Sequence, residues 1–147
     1  MKITLSGRNA LLATALLLTI AFSTSAQTPA QDRKAPPSPN AILASTKVIF
    51  VKSTSVLVGK EVIETKLRKR PEFQALGLVI TRDELEADLI LEVRHDVFTK
   101  YVYTAIDPRT QIVVASGKLS SLGGTVAGKV AKRFMKDLMR ARATTGP

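Results

Sequence analysis

Cysteine and tryptophan are absent from this chain, and histidine occurs once, at His95. Without cysteine there is no disulfide, no thiol nucleophile and no residue for lipid attachment at a cleavage point. A single imidazole excludes a His-based metal cluster or a Cys/His site within one chain. Acidic residues are scarce, 12 against 22 Lys and Arg, giving a formal net charge of +10. That imbalance favours anionic partners. The longest near-apolar run, Ala10 to Phe22, has 13 residues. At about 1.5 Å per residue it covers roughly 20 Å, short of the ~30 Å hydrocarbon core of a bilayer.

What that run does fit is an export signal. Lys2 and Arg8 precede it, and Ser23-Thr24-Ser25-Ala26 follows with small residues at the positions a signal peptidase reads. Residues 1–26 are therefore expected to be a signal peptide cleaved after Ala26, leaving an exported, soluble periplasmic or secreted protein without a transmembrane span. Removing Lys2 and Arg8 lowers the formal charge from +10 to +8. Residues 27–40 (QTPAQDRKAPPSPN) are rich in proline and polar groups and read as a disordered linker.

A single domain is expected over residues 41–141. Lys47 to Lys52 is a β-branched strand, and Ser53-Thr54-Ser55 offers caps for a helix from Val56 to Arg70 with Val58, Val62, Ile63 and Leu67 at helical spacing. Pro71 can open a further turn to Leu76, stopped by Gly77. Leu78 to Thr81 is a short strand, and Asp83, Glu84, Glu86 and Asp88 form a solvated connection. Leu89, Leu91 and Val93 then alternate with Ile90, Glu92 and Arg94 as a strand with one buried face. Phe98 to Ile106 and Gln111 to Leu119 form a hairpin around Asp107-Pro108-Arg109-Thr110. Thr125 to Arg140 closes the domain as an amphipathic basic helix, and residues 142–147 are a disordered tail. The fold class is α+β: a two-layer sandwich of about five mostly antiparallel strands with two helices on one face.

No catalytic or cofactor motif survives inspection. Gly123 to Lys129 reads G-x-x-x-x-G-K, but Val130 stands where a phosphate-binding loop needs Ser or Thr, and Gly128 and Lys129 belong inside the last helix. His95 beside Asp96 lacks the surroundings of a nucleophile elbow. The acidic cluster lacks the spacing of a calcium loop. Two surface features remain. Lys129, Arg133, Lys136 and Arg140 form one stripe, either a solvated face or a surface drawn to lipid headgroups, an anionic envelope polymer or an envelope protein. Tyr101 and Tyr103 share a strand face opposite Val102, Thr104 and Ile106. If helices cover the second set, the tyrosines are an exposed aromatic contact.

Arg70-Pro71-Glu72-Phe73 with Gly77-Leu78, then Glu86 to Val93, Asp107 to Thr110 and Ala115-Ser116-Gly117, resemble uncharacterised small exported bacterial proteins with a β-α-β-β-β-β-α domain. The resemblance spans about Lys47 to Leu138. More distantly the layout is similar to periplasmic domains of the curli-secretion channel and of lipoprotein activators of cell-wall synthases. It implies a binding or assembly module and supplies no functional residues. The expected function is thus a non-enzymatic envelope module for a protein or anionic polymer, with no cofactor, no metal and no nucleic acid. The alternative is a small extracytoplasmic hydrolase or transferase. N-terminal sequencing of the protein from the cell envelope should begin near Gln27; an intact Met1 on a membrane-retained product would overturn the export assignment.

Overall fold

The computed structural model describes residues 37–121 and 125–145. The signal segment, its cleavage point, most of the linker, Gly123, Gly124 and residues 146–147 lie outside them.

The described chain runs α1 (Pro39–Ser45), β1 (Val48–Ser53), α2 (Lys60–Arg68), α3 (Pro71–Ala75), β2 (Val79–Thr81), a 3-10 turn (Glu84–Glu86), β3 (Leu89–His95), β4 (Lys100–Ile106), β5 (Val113–Ser120) and α4 (Val126–Thr145). The strands form one sheet in the order β2-β1-β3-β4-β5. The expected α+β class holds. The sheet is mixed, however, because β1 pairs parallel with both β2 and β3, and only β3-β4 and β4-β5 are antiparallel. The connections leaving β1 and β2 each return the chain to the same end of the sheet before the next strand starts. The hairpins after β3 and β4 reverse it.

One face of the sheet is covered. Ile49, Val51, Leu89, Leu91, Val93, Tyr101, Tyr103, Ala105 and Leu119 point from four strands into a core completed by Leu43 of α1, Ile63 and Leu67 of α2, Phe73 of α3, and Val130, Phe134 and Leu138 of α4. The opposite face carries a cross-strand row of Phe50, Ile90, Ile106 and Val113, in which Ile90 is buried and the others are partly or largely exposed, and polar rows beside it such as Lys52, Glu92, Thr104 and Ser116.

Three boundaries differ from the sequence expectation. First, α1 starts at Pro39, two residues inside the expected linker, and runs to Ser45 in the expected domain, because Ser38 caps it by accepting from Ala41 N at 3.2 Å and Pro39 presets its first turn. Second, the helix after β1 starts at Lys60 and not Val56. Ser53 Oγ donates to Val58 O at 2.5 Å and Ser55 Oγ accepts from Leu57 N at 3.2 Å, so these hydroxyls build a separate turn and Gly59 becomes the N-cap. Of the residues at helical spacing Ile63 and Leu67 are buried in α2, whereas Val62 is exposed. Third, the tail expected from residue 142 is helical through Thr145. Arg142 holds it there, donating from Nη1 to Leu76 O at 3.2 Å and from Nη2 to Thr46 O at 2.8 Å.

The connections carry as much order as the elements. Asp88 is a hub as well as a solvated acid: Oδ2 accepts from Lys47 N at 3.0 Å and Val48 N at 2.9 Å, and Oδ1 from Arg109 Nη2 at 3.1 Å. In the β4-β5 turn, Asp107 accepts from Arg109 N at 3.0 Å and Thr110 Oγ1 at 2.7 Å. Gly77 has φ +61, the left-handed stop its position required.

Leu91 is fully buried between Val51 and Ala105 in register. Leu91→Ala should cost about 2 to 5 kcal/mol and lower the melting temperature sharply, while Glu92→Ala, on the opposite face, should leave it nearly unchanged. Calorimetry of the two variants checks the register, and equal losses would refute it.

Candidate functional site

The basic stripe faces a groove. From Lys129 to Arg140 the helix advances about 16.5 Å, with successive cations of the stripe separated along its axis by about 6, 4.5 and 6 Å. The groove between α4 and β5 measures about 630 Å³ and is lined by Lys129, Lys132, Arg133, Lys136 and Arg140, with Ser116, Gly117 and Ser120 opposite. Lys132 thus joins the four residues singled out from the sequence. Among the described residues Asp137 is the one acid lining the groove.

The groove exists because of a close pairing in its floor. Tyr103 of β4 stands opposite Gly117 of β5. A Cβ on residue 117 would come within 2.5 Å of Tyr103 Cε1 and 2.9 Å of its hydroxyl, so only glycine lets the ring lie there. The Tyr103 hydroxyl passes over β5 and donates to Asp137 Oδ2 on α4 at 2.5 Å. Burial raises the phenol pKa, and the Asp137 carboxylate raises it further through the hydrogen bond and its charge, against a smaller opposing effect from Arg133 and Arg140. The phenol therefore stays protonated and keeps its donor role.

This geometry corrects the expected aromatic contact. Tyr101 and Tyr103 are 1% and 2% exposed, facing the helices, while Val102, Thr104 and Ile106 occupy the open face. Tyr101 packs in the core and stacks obliquely on His95, ring centroids 4.8 Å apart.

Two of the cations are anchored to the sheet edge. Lys129 Nζ donates to Ser120 O at 3.0 Å and Arg133 Nη1 to Lys118 O at 2.8 Å. Ser121 N donates to Thr99 O, which makes Tyr101–Leu119 and Tyr103–Gly117 the hydrogen-bonded pairs and turns the backbone groups of Ser116, Lys118 and Ser120 away from β4. Lys129 and Arg133 therefore cover carbonyls on the outer edge of β5. Each keeps further N–H donors, two on the ammonium and four on the guanidinium. Arg140 lies 4.0 Å from Asp137.

Gly128 and Lys129 lie in the first turns of α4, as the comparison with a phosphate-binding loop anticipated, and the Lys129 amine is engaged by Ser120. Among the described residues no three His, Asp or Glu side chains stand close enough together to share a metal ion. None of the described helices is long and apolar enough to cross a membrane.

No family model and no curated protein matches the chain. Among solved structures it is similar to a dodecameric PelC variant from Paraburkholderia phytofirmans (15% identity, TM-score 0.39, 63% of this chain and 87% of that one). It is also similar to a Xanthomonas campestris protein of the DUF330 family (14% identity, TM-score 0.37, 71% and 83%). A second crystal form of the PelC dodecamer gives 13% identity and a TM-score of 0.35, over 66% and 86%. Likeness at this level transfers no function.

Gly117→Ala should destabilise the protein by about 1 to 3 kcal/mol, the usual cost of overpacking, since the Tyr103 ring is held between the core and Asp137. In the wild type, the folded state binds the phenol proton more tightly than the unfolded chain. The associated stability is present below the ordinary tyrosine pKa of about 10 and is lost as pH rises above it. Tyr103→Phe should remove this part of the alkaline loss, which urea unfolding from neutral to alkaline pH measures.

Proposed function

We propose that the protein is a non-enzymatic module of the cell envelope that holds an extended anionic polymer in the groove between α4 and β5. The observation that carries this reading is the convergence of five cations, Lys129, Lys132, Arg133, Lys136 and Arg140, on one groove whose single acid, Asp137, is occupied by Tyr103 and Arg140. Charges about 4.5 to 6 Å apart along an axis lie within the ~8 Å Debye length at physiological salt. Their potentials add, so a chain bearing regularly repeated carboxylates or phosphates meets several at once. A flat bilayer would press on the outer surface of α4, whereas Lys129 and Arg133 are drawn back onto the edge of β5. A narrow chain can follow them. The uncommitted donors on both side chains suit repeated oxyanions.

Polygalacturonate, a linear carboxylated polysaccharide, is a direct probe, with neutral dextran as its control. Calorimetry at low salt should show binding of the former alone, and raising the salt should abolish it. Reversing Arg133 and Lys136 to Glu should weaken binding at least tenfold with the fold intact by circular dichroism, while reversing Lys47 and Lys118, which lie off the groove, should change it little. Equal binding by the stripe variant, or none at low salt, would refute the proposal.

A further inference from the structure

Four large apolar side chains protrude at one end of the sheet. Because β1 and β3 run parallel with Ser53 opposite Val93, their C-terminal ends lie side by side, and Thr54 N donates to Val93 O at 3.0 Å. The turn after β1 and the turn after β3 therefore leave the same pole. Val56 and Leu57 on the first are 100% and 67% exposed, and Val97 and Phe98 on the second are 51% and 88% exposed. Singly exposed apolar residues need no explanation, but four gathered on two adjoining turns do.

Both turns are built to present these side chains. The first is closed by the Ser53 and Ser55 hydroxyl bonds, which also displace the start of α2. In the second, Phe98 has φ 52, a left-handed backbone that bulky residues rarely adopt. The His95 ring secures it, donating from Nε2 to Phe98 O at 2.5 Å while resting on Tyr101. Such strain persists where surrounding contacts impose it, and functional sites are where it concentrates. Exposed Lys60, Arg94 and Lys100 stand around the tips, with Glu61 and Asp96 as the acids. Among the described residues, these three cations form no ion pair.

We propose that this pole docks on an anionic lipid bilayer, with Val56, Leu57, Val97 and Phe98 entering the headgroup layer and Lys60, Arg94 and Lys100 meeting lipid phosphates. Convex tips on separate turns suit a surface that yields around them, whereas a protein partner would have to offer matching pockets. Long basic side chains beside buried apolar ones extend their charges back to the headgroups. The inference is independent of the polymer groove, since a vesicle carries no polymer and the groove variants leave these turns untouched.

The chain has no tryptophan, so Phe98→Trp introduces a single reporter that reads its own surroundings, unaffected by the apolar segment Ala10 to Phe22. With vesicles of phosphatidylcholine and phosphatidylglycerol, its emission should shift to the blue and be quenched by brominated acyl chains. Leu85→Trp, at a site 94% exposed beside Ile90 and Pro108 at the other end of β3, should show neither effect. Leu57→Ser introduced into the Phe98→Trp protein should weaken vesicle binding about tenfold. Leu57→Trp provides a second reporter should Phe98→Trp fold poorly. The proposal is overturned by unchanged emission at both tip sites, by equal shifts at Leu85→Trp, or by a blue shift that follows protein concentration without vesicles, which would indicate a second copy as the partner.

Discussion

The contact between Tyr103, Gly117 and Asp137 fixes where the closing helix lies, and with it the shape of the charged surface. The ring crosses β5 only because residue 117 lacks a Cβ. Its hydroxyl then reaches a carboxylate on α4, a hydrogen bond to a charged acceptor of the kind that contributes about 1.5 to 3 kcal/mol. This contact sets the rotation of α4 about its axis, with Val130, Phe134 and Leu138 toward the sheet and Lys129, Lys132, Arg133, Lys136 and Arg140 toward the β5 edge. It also occupies the single acid that could neutralise the groove from within.

The same cations answer a structural problem. β5 ends the sheet, and an exposed strand edge invites pairing with another chain. Lys129 and Arg133 cover two outward carbonyls there, and their charge repels a like edge. Protection and the proposed polymer binding are compatible because each bond engages only one donor of a polyvalent head. The anchors reduce the side-chain freedom that an oxyanion ligand would otherwise have to freeze. Among the described residues Lys132, Lys136 and Arg140 have no such backbone anchor, so the groove combines fixed and adaptable cations.

Much of this was legible in the chain. The β-branched run in β1, the alternation in β3, the Asp107-Pro108 turn and the spacing of Val130, Phe134 and Leu138 each follow from local chemistry. The choice of face in β4 did not, because Tyr101, Tyr103 and Ala105 are as plausible a core set as Val102, Thr104 and Ile106. Period-2 alternation is symmetric, and register alone breaks the symmetry. The turn at Asp96 to Thr99 sets Leu91 opposite Ala105 and Glu92 opposite Thr104, which assigns the tyrosines to the interior. A glycine within β5 was the available sign that a large side chain approaches there. The start of α2 was misplaced because serine hydroxyls satisfy turns as readily as helix caps. Arg142, reading as tail composition, could be recognised as a clamp only from the two distant carbonyls it joins.

Topology explains why the two surface features adjoin. Two successive parallel pairings bring the ends of β1 and β3 to one pole, and the antiparallel meander then returns β5 to that same end before α4 begins. Lys100 therefore pairs with Ser120 in the sheet, and Ser120 in turn receives Lys129. The cationic groove opens beside the apolar turns and runs away from them along α4. Had β3 paired antiparallel to β1, Val56 and Leu57 would stand at the opposite end of the sheet from Val97 and Phe98, and neither turn alone would form a patch. The direction of one strand pairing thus gathers residues far apart in sequence onto one pole, at the mouth of the groove.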